Sequence, residues 1–580
     1  IDASIKRDVP DYDADVTVIP LQEKVVGAVA PILWVILTAV AMVLLIACAN
    51  VTHLQLMRAR AREREMAMRF SLGAGRGRLL QQSLTESLVL SLMGAIVGLG
   101  LALAGVRLLV ALAPPDIPRI EAIRMDPRVF IYLLVIAVLA GLISGMAPAL
   151  VATHVDPNHA LKEAGRGTSG GRRSRRTGAL LVISEFAMAV ILLVGAGLVL
   201  RSVGAMLGVD TGFDPHNVLS MQIAVRGTAH EPLPLRGPFY TELVDRIGTL
   251  PGVEAVSAIN HLPLHGDNWR FGFNIDGRPV ARYEDLPRAM FRVIRPGYFS
   301  TMRIPLIRGR GITTEDMVHR NHVVILDETA ARTSWPGADP IGQRISVNDP
   351  ATPPEWFTVV GVAKDVRQPD WSEGHTGEMY YPYWYAEAAG AQHSFVSQLY
   401  PEYLTFVVRT RGNPLLLRQP ITRIVQALDG DASVADVITM KQAMAEQISE
   451  PRFYLILLGA FAAAALVLAA VGVYGIVSYT VATRTREIGI RLALGADAAS
   501  PFRLIVRQGL GLAITGSVIG IAGALALTRF LRSMLFEVGT GDPATFIAVP
   551  LLLVGIAVLA CYPPARRAAR VDPMVALRAE

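Results

Sequence analysis

The chain has 580 residues, 52% of them hydrophobic and 18% charged, with a mean hydropathy of +0.41. Water-soluble proteins carry charge on nearer a quarter of their residues, so an ordinary soluble enzyme is excluded. The formal net charge is +6, but the arginines stand beside apolar runs, which points to membrane topology and away from nucleic acid.

Residues 1–24 are polar and contain no initiator Met, basic n-region or signal-peptide core, so they are expected to be the end of a truncated extracytoplasmic domain. Crossing about 30 Å of hydrocarbon takes about 20 apolar helical residues. Seven stretches meet that requirement, at about 26–49, 84–111, 130–151, 179–200, 453–479, 504–530 and 546–561. The last is the shortest and is expected to begin a few residues earlier or to tilt. Cys48 and Cys561 both lie in apolar runs and are expected to be buried and inert. The polar middle has no cysteine, so no disulfide framework holds it.

Lys and Arg accumulate in short cytoplasmic loops. Arg58–Arg78, Lys162–Arg176, Arg484–Arg503 and Arg566–Arg578 are rich in arginine, whereas the loops near 114–128 and 532–545 are nearly charge-balanced. Seven spans then place residue 1 and the middle segment outside the membrane and Glu580 in the cytoplasm.

Two segments repeat. Arg62-Glu-Arg-Glu-Met-Ala-Met-Arg-Phe-Ser-Leu-Gly-Ala74 parallels Arg484-Thr-Arg-Glu-Ile-Gly-Ile-Arg-Leu-Ala-Leu-Gly-Ala496. Each follows one long apolar span and precedes two more. Each three-span block then closes on Pro-x6-Val-Asp-Pro-x2-Ala-Leu, from Pro148 and from Pro564. The same order in the same membrane sense indicates a parallel duplication. The resulting layout is 25–155 (first block), 156–178 (basic cytoplasmic linker), 179–200 (linking span), 201–452 (outer domain) and 453–580 (second block).

Within each motif Arg62, Glu65 and Arg69, and again Arg484, Glu487 and Arg491, recur at i, i+3 and i+7, on one helical face. Gly73 and Gly495 suit the left-handed position that ends a helix. A helix lying on lipid headgroups explains the charge. A docking element for a cytoplasmic partner explains better why Glu and the Gly stop recur in both copies.

No Gly-x4-Gly-Lys-Ser/Thr is present. Gly73–Arg78 and Gly165–Gly171 are Gly-rich without it, and read as a helix end and a flexible basic linker. Neither HExxH nor CxxC occurs, and the eleven histidines lack metal-ligand spacing. Acidic residues in the spans are confined to Glu185 and the span-edge Glu86, a thin basis for an ion-driven carrier. In 201–452, β-rich runs such as 357–362 and 404–408 alternate with helical stretches such as 239–250 and 415–427, a mixed α/β pattern. The aromatic stretch Met379–Tyr385 reads as a buried strand with a Pro turn more than as a cargo surface. His261, His265 and Trp269 read as loop or core residues.

Residues 484–496 resemble the coupling segment of FtsX/MacB-like ABC transporter permeases. The outer stretches Arg295-Pro-Gly-Tyr-Phe-Ser-Thr-Met302, Pro305-Leu-Ile-Arg-Gly-Arg310, Val324–Ala331, Trp335-Pro-Gly337, Asp339-Pro-Ile-Gly-Gln343 and Val359-Val-Gly-Val362 resemble the MacB-like periplasmic core domain. Ala47–Val51 and Val194–Leu198 match as well. The doubled arrangement is similar to the duplicated orphan permeases of acidobacteria. The resemblance implies a membrane all-α protein of two three-helix FtsX-like blocks plus one linking span, with one mixed α/β extracytoplasmic MacB-like domain. It further implies an inner-membrane permease without catalytic or cofactor-binding residues of its own. A separate cytoplasmic P-loop ATPase would hydrolyse ATP and move the coupling motif Arg62, Glu65, Arg69, Gly73, Arg484, Glu487, Arg491 and Gly495. That motion would reach the outer domain by mechanotransmission. Expected partners are this ATPase, membrane lipid and a periplasmic partner or substrate, with a dimer or pseudo-dimer formed through the duplication. Ala67 stands where the second copy has Gly489, and Phe70 and Leu492 stand where many relatives have Arg, which puts the choice of ATPase in doubt. The alternative function is a non-transporting regulator of periplasmic partners such as cell-wall hydrolases; an ion-coupled exporter is a third.

Overall fold

Hydrocarbon offers the backbone no water to pair with, so an apolar run of bilayer length satisfies its own N–H and C=O groups as a helix. The computed structural model describes residues 20, 30–61, 76–112, 126–153, 172–264, 269–278, 280, 285–347, 354–367, 376–384, 399–494 and 499–569. Its first four helices are α1 (Ala30–Ala61), α2 (Arg76–Leu112), α3 (Pro127–Thr153) and α4 (Arg172–Gly208). α4 starts inside the stretch expected to be linker, because Arg172–Arg176 holds good helix formers and nothing that breaks a helix.

The outer domain follows in chain order as β1 (Val218–Ala224), α5 (Leu233–Gly248), β2 (Val253–Ile259), β3 (Arg270–Gly272), β4 (Asn274–Ile275), β5 (Arg288–Ile294), α6 (Tyr298–Met302), β6 (Leu306–Gly309) and α7 (Thr314–Val318). It continues with β7 (Val323–Asp327), α8 (Glu328–Ser334), β8 (Arg344–Ser346), β9 (Phe357–Ala363), β10 (Glu378–Pro382), β11 (Tyr403–Thr410), α9 (Arg418–Leu428), β12 (Ser433–Thr439) and α10 (Met440–Gln447). The strands form one mixed sheet in the order β12-β1-β11-β2-β5-β10-β7-β9-β8-β4, with β3 on β5 and β6 on β9. β10 runs parallel to β5, and β7 to β9; the remaining pairs are antiparallel. Strand side chains alternate between faces. One face packs Tyr240, Leu243 and Ile247 of α5 and Ile421 and Val425 of α9 against Phe291 and Phe406. The other packs Tyr298, Phe299 and Met302 of α6 against Tyr380 and Val407.

The chain returns to the membrane as α11 (Ser449–Ala493), α12 (Ala499–Leu527), a 3-10 turn (Thr528–Met534) and α13 (Pro543–Ala569). Among the described residues seven helices are long and apolar enough to span a bilayer, the number expected from hydropathy. The seventh begins at Pro543, earlier than its apolar run, because Asp542 caps it. The chain divides into two compact units, 1–205 with 451–580, and 206–450.

Close helix contacts in membranes rest on small residues that let backbones approach. A Cβ at Gly145 of α3 would lie 2.7 Å from Ser87 Oγ on α2, and one at Gly509 of α12 would lie 2.3 Å from Cys561 Sγ on α13. α4 packs on α12 in the same way: a Cβ at Gly516 would lie 2.5 Å from Phe186 Cβ, and one at Gly520 2.6 Å from Val190 Cβ. Both cysteines are buried, as their apolar settings predict.

Candidate functional site at the helix ends and the seam between the repeats

Arg484, Glu487 and Arg491 lie on α11, which runs without a break from Ser449 to Ala493. In the second copy the helix expected for this motif is therefore the last part of the spanning helix. The cause is local: from Val477 to Ala493 the only glycine is Gly489 and there is no proline, so hydrophobicity falls while helix propensity persists. Arg62, Glu65, Arg69, Gly73 and Gly495 lie outside the described residues.

The two repeats meet where α1, α4 and α11 converge. Asn50 of α1 donates from Nδ2 to the Leu468 carbonyl of α11 at 2.9 Å. A Cβ at Gly178 of α4 would lie 3.5 Å from Ile476 Cδ1 and 3.6 Å from His53 Nε2. Glu185 of α4 is fully buried in the same seam, and its Oε2 lies 2.1 Å from where a Cβ on Gly472 would stand. The sequence reading singled out Glu185 but not Asn50 or Gly472. A signal for them was available: setting Arg62 on Arg484 makes Asn50 and Gly472 equivalent positions of the repeat.

At the other end of α4, Arg201 Nη1 pairs with the Asp542 carboxylate. Asp542 also accepts from Thr545 N at 2.9 Å and Thr545 Oγ1 at 2.7 Å, capping α13. Burial alone would raise its pKa, but the Thr545 and Arg201 donors outweigh burial and hold it below the usual carboxylate range. Ser202 Oγ accepts from Phe536 N at 2.8 Å.

In the outer domain the family-like stretches are structural. Gly361 admits β6 at a separation no side chain tolerates, since a Cβ there would sit 2.4 Å from the Arg310 carbonyl. Arg310 donates to Asp316, which also accepts from Thr313 N and Asn321 Nδ2 at 3.0 Å each. Met379, Tyr380 and Tyr381 of β10 and the following Tyr383 and Trp384 are buried, so this stretch is core; Tyr385 and His265 lie outside the described residues. Arg292 Nε donates to Glu378 Oε1 at 3.1 Å, both side chains being wholly buried. His261 is buried and Trp269 partly exposed. Burial, reinforced by the nearby Arg292 cation, pushes the His261 pKa down to about 4, so the ring is neutral at physiological pH. Among the described residues no group of three His, Cys, Asp or Glu side chains is placed to hold a metal.

The model of the FtsX-like permease C-terminal family matches residues 37–157 and again 459–573, as a duplication requires. The model of the MacB-like periplasmic core domain matches residues 181–449. The pyoverdine export ATP-binding/permease protein PvdT of Pseudomonas syringae pv. syringae is 26% identical over 406 residues, which is 69% of this chain and 58% of that protein. The macrolide export ATP-binding/permease protein MacB of an Azoarcus species is 28% identical over 289 residues, covering 48% of this chain and 40% of that protein. The matches thus span 58% and 40% of these relatives' own lengths. The periplasmic region of MacB from Actinobacillus actinomycetemcomitans aligns with 42% of this chain and 98% of its own, at 17% identity and a TM-score of 0.27. Seven bilayer-length helices, a twice-matched permease model around them and a periplasmic-core model between them place the chain in the FtsX/MacB-like permease family.

Proposed function

We propose that the chain is the permease subunit of an ATP-binding cassette export system. A P-loop ATPase supplied in trans docks on Arg62, Glu65, Arg69 and Gly73 of the first copy and on Arg484, Glu487, Arg491 and Gly495 of the second. The chain binds no cofactor directly, and ATP acts through that partner. The motif and the C-terminus face the cytoplasm, and the middle domain faces outward, in line with the arginine-rich loops.

The observation that carries this reading is the continuity of α11. Its 45 residues measure about 68 Å at 1.5 Å per residue, more than twice the hydrocarbon thickness of about 30 Å. A push on Arg484, Glu487 or Arg491 acts on a rod that begins at Ser449, where the outer domain ends. Cargo is gripped and released outside, by movement of that domain, and need not pass between the helices. Arg69→Glu combined with Arg491→Glu inverts the charge on both docking faces. Co-purification of the ATPase should then fall at least tenfold while the protein keeps its fold in detergent. An undiminished complex would sink the docking assignment.

A further inference from the structure

Glu185 is fully buried among membrane helices, and neither carboxyl oxygen has a hydrogen-bond partner among the described residues. Its Oε2 lies 2.1 Å, and Asn50 Oδ1 2.9 Å, from the point a Cβ on Gly472 would occupy. The two oxygens therefore share one small space that exists because residue 472 has no side chain. Asn50 has its Nδ2 committed to the Leu468 carbonyl, so its amide presents the acceptor oxygen to that space. An ionised carboxylate among apolar helices with no donor is strongly disfavoured. A carboxylic acid beside an amide oxygen is not, because its O–H has an acceptor within reach.

We propose that Glu185 is an intramembrane proton-binding site at the seam between the two repeats. The acid is protonated while α1, α4 and α11 are packed as here, with Asn50 Oδ1 taking its O–H, and gives up the proton to water when the seam opens. Apart from the motif residues from Arg484 to Arg491, the titratable and charged side chains on the packed elements are Cys48, His53, Arg58 and Arg60 on α1, Glu450, Arg452, Tyr454, Tyr474 and Tyr479 on α11, and Cys561, Tyr562, Arg566 and Arg567 on α13. α12 has none but Arg503 and Arg507 near its start, and Arg176 and Arg201 stand toward the ends of α4. Of these, His53 lies against Gly178 of α4, two turns along the helix from Glu185. The site takes a proton rather than a metal cation, since it offers one carboxyl and one amide oxygen where sodium or calcium needs more oxygen ligands.

The test uses the full chain in phosphatidylcholine liposomes at pH 7.5. The infrared difference between wild type and Glu185→Gln should carry the carbonyl band of a protonated carboxylic acid. Gly472→Ala, whose methyl takes the acid's place, should replace that band with a carboxylate pair. Dicyclohexylcarbodiimide reports independently. The acid's proton passes to one carbodiimide nitrogen while its oxygen bonds the central carbon, and acyl migration to nitrogen leaves a stable N-acylurea. Mass spectrometry should find Glu185 modified at least tenfold faster than Glu86, which is exposed and hydrogen-bonded to Gln82. Sodium chloride in place of choline chloride should not slow it. A carboxylate signature in the wild type, an unchanged spectrum in Gly472→Ala, or protection by sodium would overturn the proposal.

Discussion

The two three-helix blocks repeat one sequence plan in two different surroundings. Setting Arg62 on Arg484 places Ser87 on Gly509, Gly94 on Gly516 and Gly98 on Gly520; setting Pro148 on Pro564 places Asp126 on Asp542 and Gly145 on Cys561. In the second block Gly516 and Gly520 seat α4, with backbone oxygens of Ile183 and Ala187 within 2.8 Å of the added Cβ positions. In the first block a Cβ at Gly94 or Gly98 would meet nothing within 4 Å among the described residues. The same pair of glycines is thus a helix seat in one copy and an open face in the other. A small-residue pattern specifies how closely a helix can be approached, and the neighbour decides whether that capacity is used.

The sharpest way to break this comparison is to add one methyl at each of the four glycines. Gly516→Ala and Gly520→Ala force α4 away from α12, because the obstructing atoms include Cβ and backbone rather than flexible side-chain ends. We expect a loss of about 3 kcal/mol for each, the upper part of the range for overpacking. Gly94→Ala and Gly98→Ala should change stability by no more than about 1 kcal/mol, with stabilisation the expected sign because Ala is the better helix former. Unfolding titrations in mixed micelles with increasing dodecyl sulfate measure all four. Equal losses in the two blocks would mean that the first stripe is also occupied.

A smaller effect tests whether the repeats use one packing rule. At the contact between the second and third helices each block sets a glycine against a small polar side chain, but with the roles exchanged: Gly145 faces Ser87, and Gly509 faces Cys561. Gly145→Cys alone should cost about 2 kcal/mol by crowding Ser87. Ser87→Gly alone should cost about 1 kcal/mol, since the single Ser87 O–H has two alternative acceptors, Gln55 Oε1 at 2.7 Å and the Ser83 carbonyl at 2.8 Å. The double variant rebuilds the second block's arrangement, and its loss should fall short of the sum by at least about 1 kcal/mol. Strict additivity would show that the exchange is accidental.

Much of this was legible in the sequence for physical reasons. Bilayer-length apolar runs have one structural solution, so all seven spans could be read directly. The β-rich runs at 357–362 and 404–408 became β9 and β11, because branched and aromatic residues fit a pleated surface. The order of the sheet was not legible: β10 lies between β5 and β7 through pairings that no local pattern encodes. The continuity of α11 from the span into the motif was not legible in hydropathy, which falls near Arg484 while helix propensity persists to Ala493. Glu185 stood out by its charge alone. Its environment, made by Asn50 and Gly472 from helices more than 400 residues apart in sequence, exists only after the blocks pack, which is a non-local event.

The least of the expected differences concerns the caps of the third helices. Asp126 and Asp542 each precede a proline that opens the helix, and both are equivalent positions of the repeat. Asp126 is exposed and accepts from Arg128 N at 3.0 Å. Asp542 is largely buried and accepts from Thr545 N, Thr545 Oγ1 and Arg201. Removing a cap costs about 1 kcal/mol, so Asp126→Ala should cost that or less. Asp542→Ala should cost about 2 kcal/mol, because it also strands Arg201 and the Thr545 hydroxyl. The pH dependence separates the two contributions. The folded-state pKa of Asp542 is depressed, so its charge-dependent stabilisation is complete above the unfolded carboxylate value of about 3.9. It is lost as pH falls through the lower folded-state value. The gap between wild type and Asp542→Asn, measured by the same micelle titration, should therefore be constant from pH 6 to pH 8 and narrow below about pH 4. A gap that widens on acidification would mean that Arg201 does not hold this carboxylate, and that α4 is seated on the second block by its glycine contacts alone.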